Sequence, residues 1–154
     1  MTVGCIAAGR PGGYFHIDWN GNIAPCVFFP YYIDNINDIY RNNRRLIDVM
    51  ESKFFRAIRD WQDDYAYAKP AEEMKNLFTP CPIRDHYRFS HRIIEKHSAK
   101  PKDEDAGKVI LDEEYKRKMF AANDQVSKLL DPVWQREVIE HQYRIDKDDL
   151  KLAV

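Results

Sequence analysis

The chain has 154 residues, a net charge of −1, and a composition that is 44% hydrophobic, 13% aromatic and 32% charged. That length fits one domain, or one domain with an appendage, with enough apolar side chains for a core. A charge so near neutral excludes a general electrostatic attraction to nucleic acid or to an anionic membrane, and no apolar run approaches the roughly 20 residues of a membrane span.

In chain order, the first expected element is a β-hairpin over residues 12–29. Phe15, Ile17 and Trp19 alternate with His16 and Asp18, the period of a half-buried strand. Asn20-Gly21 is the dipeptide preferred in a two-residue type I′ turn. Residues 22–29 then form the return strand and carry Cys26. Pro25 cannot donate to a ladder, so this strand is expected at an edge or at a bulge. Residues 31–43, rich in Asp and Asn, read as loop.

Helices follow. Leu46 to Met50 predicts a short one, and Ser52 reads as the N-cap of a second over Lys53 to Asp63. Phe54, Phe55, Ile58 and Trp61 give that helix a wide apolar stripe. One helical turn is expected at Ala71 to Lys75, and a helix within Ile83 to Lys96. Residues 98–108 carry almost nothing apolar and read as linker. Leu111 to Leu130 predicts a helix. Asp131-Pro132, an N-cap followed by proline at the first helical position, predicts a last one from Val133 to about Ile145. These two form a helical hairpin that packs on the domain or on a partner. The fold class is α+β: a small N-terminal antiparallel β-hairpin, then mostly helices, with a C-terminal helical extension. The boundaries are 1–97 for the first domain, 98–110 for the linker and 111–154 for the extension.

The chain contains three cysteines, Cys5, Cys26 and Cys81. An odd number cannot pair fully in a disulfide framework. The N-terminus also lacks a basic region followed by an apolar core, so no signal peptide is expected. A reducing cytoplasm is the simplest location. Each cysteine sits beside turn or proline signals: Cys5 and Cys26 in the pattern C-x15-G-x4-C around Gly21, and Cys81 between Pro80 and Pro82. Thiolate is the soft ligand that iron–sulfur clusters and zinc both prefer. A glycine-bearing hairpin followed by a cysteine lets backbone approach a cluster, and prolines stiffen the third loop. Three thiolates satisfy three irons of a cubane, which brings the sulfurs to roughly 6–7 Å of each other. The fourth iron takes His86 or Asp85, or is left open. Zinc ligation, and unligated cysteines in a metal-free helical scaffold, remain alternatives.

The segment Cys5-x15-Gly21-x4-Cys26, with Phe15-His16-Ile17-Asp18-Trp19-Asn20-Gly21-Asn22 inside it, resembles the opening of the SPASM/Twitch domain. That domain carries auxiliary clusters at the C-terminal end of many radical SAM enzymes. Asp34-Asn35-Ile36 and the Phe54–Trp61 helix fit the family's order, and Cys81 falls where its second cysteine group begins. The resemblance covers about residues 4–95. The family's longer form continues as C-x2-C-x5-C-x3-C, and counted from Cys81 those positions hold Arg84, Ser90 and Ile94. The resemblance therefore implies the shorter form, with one auxiliary 4Fe-4S cluster on Cys5, Cys26 and Cys81. It implies electron relay, substrate anchoring or structural support for an unknown peptide or small-molecule substrate. It also implies a radical SAM barrel as partner, in cis or in trans. The C-x3-C-x2-C loop that binds the S-adenosylmethionine-cleaving cluster does not occur in this sequence. The chain alone is thus expected to bind and cleave no S-adenosylmethionine, as a fragment or a split subunit would. The runner-up is a zinc-stabilised protein-interaction module.

Among other candidates, Phe28, Phe29, Tyr31 and Tyr32 are expected in the core, or shielding a cluster or lining a pocket. Arg41 to Arg45 reads as a solvated helix start, or as a contact for a barrel or an anionic substrate. His16, His91, His97 and His141 are expected at the surface.

Overall fold

The fold is described here from a computed structural model, over residues 4–141. Five short strands and six helices follow in order: β1 (His16–Ile17), β2 (Asn22–Ala24), β3 (Tyr31–Tyr32), β4 (Asp34–Asn35), α1 (Ile36–Arg41), α2 (Leu46–Met50), α3 (Lys53–Gln62), α4 (Tyr87–Lys96), β5 (Lys100–Pro101), α5 (Glu104–Leu111) and α6 (Glu113–Trp134). The class is α+β, with a small antiparallel sheet at the N-terminal end and mostly helix beyond it. One sheet runs β1-β2-β4 and a second pairs β3 with β5, all antiparallel. No helix among the described residues is long and apolar enough to cross a membrane.

The hairpin is tighter than the dipeptide predicts at one point and looser at another. Asp18 faces Asn22 through a 3.1 Å backbone hydrogen bond, so Trp19, Asn20 and Gly21 form a three-residue loop rather than a two-residue turn. The Asp18 carboxylate decides this. It accepts from the backbone N–H groups of Asn20 and Asn22, both at 2.9 Å, which locks the tip. Gly21 takes the left-handed conformation that such a loop requires (φ +84°). The apolar alternation of β1 is not a buried face: Ile17 and Trp19 are exposed, Trp19 at 94%.

β2 stops at Ala24. Cys26 therefore lies in a turn just past the strand, closed by the Phe29 N–H on the Cys26 carbonyl at 3.2 Å. Pro25 ends the ladder, as a residue without an N–H must. Residues 31–43, read from composition as loop, contain β3, β4 and α1. Asn35 makes this possible. Its side chain caps α1 by accepting from Asn37 N–H at 2.9 Å and donates to the Asn20 carbonyl and the Asn22 side chain, both at 3.0 Å.

Ser52 caps α3 as its sequence predicts, its hydroxyl accepting from Phe55 N–H at 3.4 Å. Phe54, Phe55 and Ile58 go into the core against Phe29, Ile39, Val49, Ile93 and Ile94. A π-helical turn over Asp63–Tyr67 extends α3, and a 3₁₀ turn over Ala71–Glu73 follows.

The stretch read as linker is part of this core. β5 pairs with β3, and α5, capped by Asp103, buries Ala106, whose carbonyl accepts the Tyr31 hydroxyl at 2.9 Å. The expected break at Asp131-Pro132 does not occur either. α6 runs through Pro132 to Trp134 and passes into a π-helical turn over Gln135–Ile139. Asp131 accepts from the Asn76 side chain at 2.9 Å instead of capping a new helix. One continuous helix thus replaces the hairpin, and expected residues 142–145 fall outside the described ones. α6 lies over α4: Asn123 accepts from Tyr87 N–H at 2.7 Å, capping α4 from a distance, and donates to the Arg84 carbonyl at 2.8 Å.

Candidate metal centre

The three cysteines come from three separate segments that the fold ties side by side. The Cys5 segment is pinned on both flanks: Tyr14 N–H donates to the Ile6 carbonyl at 3.0 Å, and Ala8 N–H donates to the Pro25 carbonyl at 2.9 Å. The second bond sets Cys5 beside the Cys26 turn. Gly4, next to Cys5, lies against Leu77 and Pro80 of the third segment. Cys81 is fixed by Asp85. The Asp85 carboxylate accepts from Cys81 N–H at 3.0 Å, and Asp85 N–H donates back to the Cys81 carbonyl at 2.8 Å. Arg84 clamps the same carboxylate at 2.6 and 2.8 Å. Ser90 holds the Pro82 carbonyl at 2.6 Å.

All three thiols are free. Cys26 is buried, and burial pushes its thiol up to about 11, with the Cys5 and Cys81 thiols near enough to add to the rise. Cys5 is raised for the same first reason and is touched electrostatically by Cys81. Tyr14 lies beside all three thiols: its phenol is raised by burial first and then by Cys26, Cys5 and Cys81. Burial thus holds the Cys5 and Cys26 thiols in the neutral form, and a metal must displace their protons.

Among the described residues, no three His, Cys, Asp or Glu side chains crowd one point as the ligands of a single ion do. A lone tetrahedral ion with ligands at about 2.3 Å draws its sulfurs to within about 4 Å of each other. A cubane takes each thiolate on a separate iron and so needs a wider ring. The three thiols are near enough to act on one another electrostatically, and thiolate is the soft donor that an iron–sulfur cluster takes.

His86 and Asp85 are both engaged by other partners. His86 is turned into an aromatic cluster with Trp61 and Tyr65, its ring centroid 5.2 and 5.0 Å from theirs, and its Nε2 meets the Thr79 carbonyl at 2.8 Å. Burial lowers its pKa. The Asp85 carboxylate is engaged by Cys81 N–H and Arg84. Asp85 thus positions the Cys81 loop, and His86 belongs to packing.

The other sequence expectations sort by burial. Phe29 and Tyr31 are core; Phe28 is exposed. Arg41, Arg44 and Arg45 are solvated and paired with Asp38, Asp34 and Asp48. His91 was expected at the surface but is buried, its ring nitrogens on Glu95 at 3.1 Å and on the Ile110 carbonyl at 3.3 Å. His97 is half-buried beside Phe54, His16 half-buried, and His141 exposed.

Sequence reasoning missed Gln62. Its side chain is buried at 1% exposure on the last turn of α3. Oε1 accepts from Arg10 Nε at 2.9 Å, which leaves Nε2 to donate to the Cys5 Sγ at 3.5 Å and to the Ala7 carbonyl at 3.1 Å. Arg10 is itself held by an ion pair with Asp63 and by the Tyr67 ring, 3.9 Å below its guanidinium. A polar residue on the inward stripe of α3 was the available signal.

Comparison with known families adds one finding. The model of the SPASM iron–sulfur cluster-binding domain matches residues 5–75. The match includes Cys5 and Cys26 and ends before Cys81. No curated protein and no solved structure matches the chain. The hairpin and the C-x15-G-x4-C spacing both lie inside this match, so residues 5–75 are similar to the SPASM iron–sulfur cluster-binding domain.

Proposed function

We propose that the protein holds one 4Fe-4S cluster through Cys5, Cys26 and Cys81 and serves as the auxiliary-cluster part of a radical SAM enzyme. The observation that supports this is that Cys5, Cys26 and Cys81, from three segments, are electrostatic neighbours, with the buried Gln62 amide on the Cys5 sulfur. When bound, the cluster supplies one-electron transfer. The chain's own residues hold it, shield it and set its potential. Support for a barrel partner comes from Ile17, Trp19, Val27 and Phe28, apolar side chains exposed on the hairpin and the Cys26 turn. Three free thiols suit a reducing, cytoplasmic setting.

The test is metal analysis of the full chain after anaerobic purification and reconstitution with iron and sulfide. Four irons and four sulfides per chain, with broad visible absorbance, are expected. A colourless protein with one zinc would overturn the reading, since zinc has a filled d shell.

Gln62 gives a second expectation. A hydrogen bond to a ligating sulfur stabilises the more negative, reduced cluster and raises its potential. Gln62→Leu should lower the midpoint by about 40 mV, the one-electron equivalent of a ~1 kcal/mol hydrogen bond. A redox titration followed by electron paramagnetic resonance reads this. An unshifted midpoint in a fully loaded variant would separate Gln62 from the cluster.

A further inference from the structure

Beside Cys81 lies a cleft of about 490 Å³, within the size range of small-molecule pockets. Phe28 and Tyr31 line it from the N-terminal half, Ile83 and Tyr87 from the cysteine loop and α4, and Val109 and Met119 from α5 and α6. Most of these walls lie beyond the residues matched to the cluster-binding family, so the cleft is a product of the C-terminal elements closing over the loop. Cys81 forms part of the wall.

Two features distinguish this cleft from an unfilled gap. Tyr87 is 3% exposed, yet its hydroxyl has no hydrogen-bond partner. An unpaired buried hydroxyl is costly, on the order of 1–3 kcal/mol, and such groups in native folds call for an explanation. The other buried phenol of the cleft, Tyr31, is satisfied by the Ala106 carbonyl. The second feature is Arg84, the single charged residue in the lining, whose Nε and Nη2 pair with Asp85 and whose Nη1 is left as a donor at the rim of an apolar hole. Tyr115 packs edge-on to Tyr87 at 5.8 Å. Like Tyr87 it lines the cleft, and it is 37% exposed on α6. Burial pushes the Tyr87 phenol up to about 12, so it remains a donor across the physiological range.

We propose that this cleft binds a small apolar carboxylic acid, its hydrocarbon body against Ile83, Val109 and Met119 and its carboxylate on the Tyr87 hydroxyl, under the positive rim of Arg84. The ligand then sits beside Cys81 and against Phe28 of the Cys26 turn. The proposal does not depend on the cluster, and iron content measured on the same samples distinguishes failure of one reading from failure of the other.

The experiment is calorimetric titration of the full chain with 4-phenylbutyrate, and with 4-phenylbutylamine as the control that keeps the body and reverses the charge. Saturable one-to-one binding of the acid is expected, with the amine at least tenfold weaker. Tyr87→Phe should weaken the acid about tenfold. The unliganded Tyr87→Phe protein should melt at or above the wild-type midpoint, because it loses an unsatisfied hydroxyl; a purely structural tyrosine would melt lower. Met119→Trp, which fills the cleft, should abolish binding with iron content unchanged. No saturable binding to the wild type, equal binding of acid and amine, or undiminished binding to Tyr87→Phe would each overturn the proposal.

Discussion

Cys26→Ser is expected to abolish the cluster: iron and visible absorbance should fall to background, and the thermal midpoint should drop on the order of 10 °C. Two effects add. Cys26 is the most buried of the three thiols, so its loss removes the ligand on the core side of the site. Ligand-binding free energy at such a site is also folding free energy, because the unfolded chain offers no preformed cluster site. Cys26→Ala separates the contributions. It loses the same ligand without introducing a buried hydroxyl, so it should match the serine variant in iron and melt slightly higher. The drop should reach the whole molecule in one transition. The C-terminal elements are tied to the site's half through β5 on β3 and through the Tyr31 hydroxyl on Ala106, so they do not melt as a separate extension. Iron and melting unchanged in Cys26→Ser would remove Cys26 from the ligand set.

Gly21→Val should destabilise the fold by about 3–4 kcal/mol, without altering any cysteine. Gly21 has φ +84°, which a β-branched residue adopts only under strain. A Cβ there would also meet the Asn37 Nδ2 at 2.9 Å and both the Asn35 Oδ1 and the Ile36 Cγ2 at 3.0 Å. These atoms cannot retreat freely. Asn35 is at once the cap of α1 and a cross-link to Asn20 and Asn22, and Ile36 N–H donates to the Gly21 carbonyl at 2.8 Å. Pushing them apart separates β2 from β4 and shifts the Cys26 turn that β2 leads into. Gly21→Ala should cost less, about 1–2 kcal/mol, because it lacks the second branch. Urea denaturation of both variants measures the series, and iron content after reconstitution should fall in the same order. A valine variant as stable as the wild type would break the link between this glycine and the site.

These two residues show which parts of the site were legible in the sequence. Cys26 stands out as a candidate ligand because cluster ligation restricts side-chain type, and few residues supply a thiolate. Gly21 could be recognised because a left-handed backbone restricts side-chain type in the same way. Ser52 was readable because an N-cap is a contact between residues three apart. The apolar stripe of α3 was readable because helical period and burial coincide there.

The sequence by itself therefore determined the class, the α3 helix and its cap, the cluster-binding family of residues 5–75, and three candidate thiols. Tertiary structure decided what depends on contacts between distant residues. Residues 100–111 became strand and helix because Tyr31 and Tyr32 offered a ladder and a buried hydroxyl some 70 residues away. α6 ran through Pro132 because Asp131 found Asn76 instead of its own helix terminus, and Trp134 found the Met74 carbonyl at 3.3 Å. Asn123 capped α4 from another helix, which no local pattern announces. Gln62, polar on an apolar stripe, gained its meaning only when Arg10 and Cys5 closed on either side of it. The physical reason is the same in each case. Local signals record what a residue needs from its own backbone, whereas a buried polar group is stable only with a partner, and the fold alone chooses which distant residue that partner is.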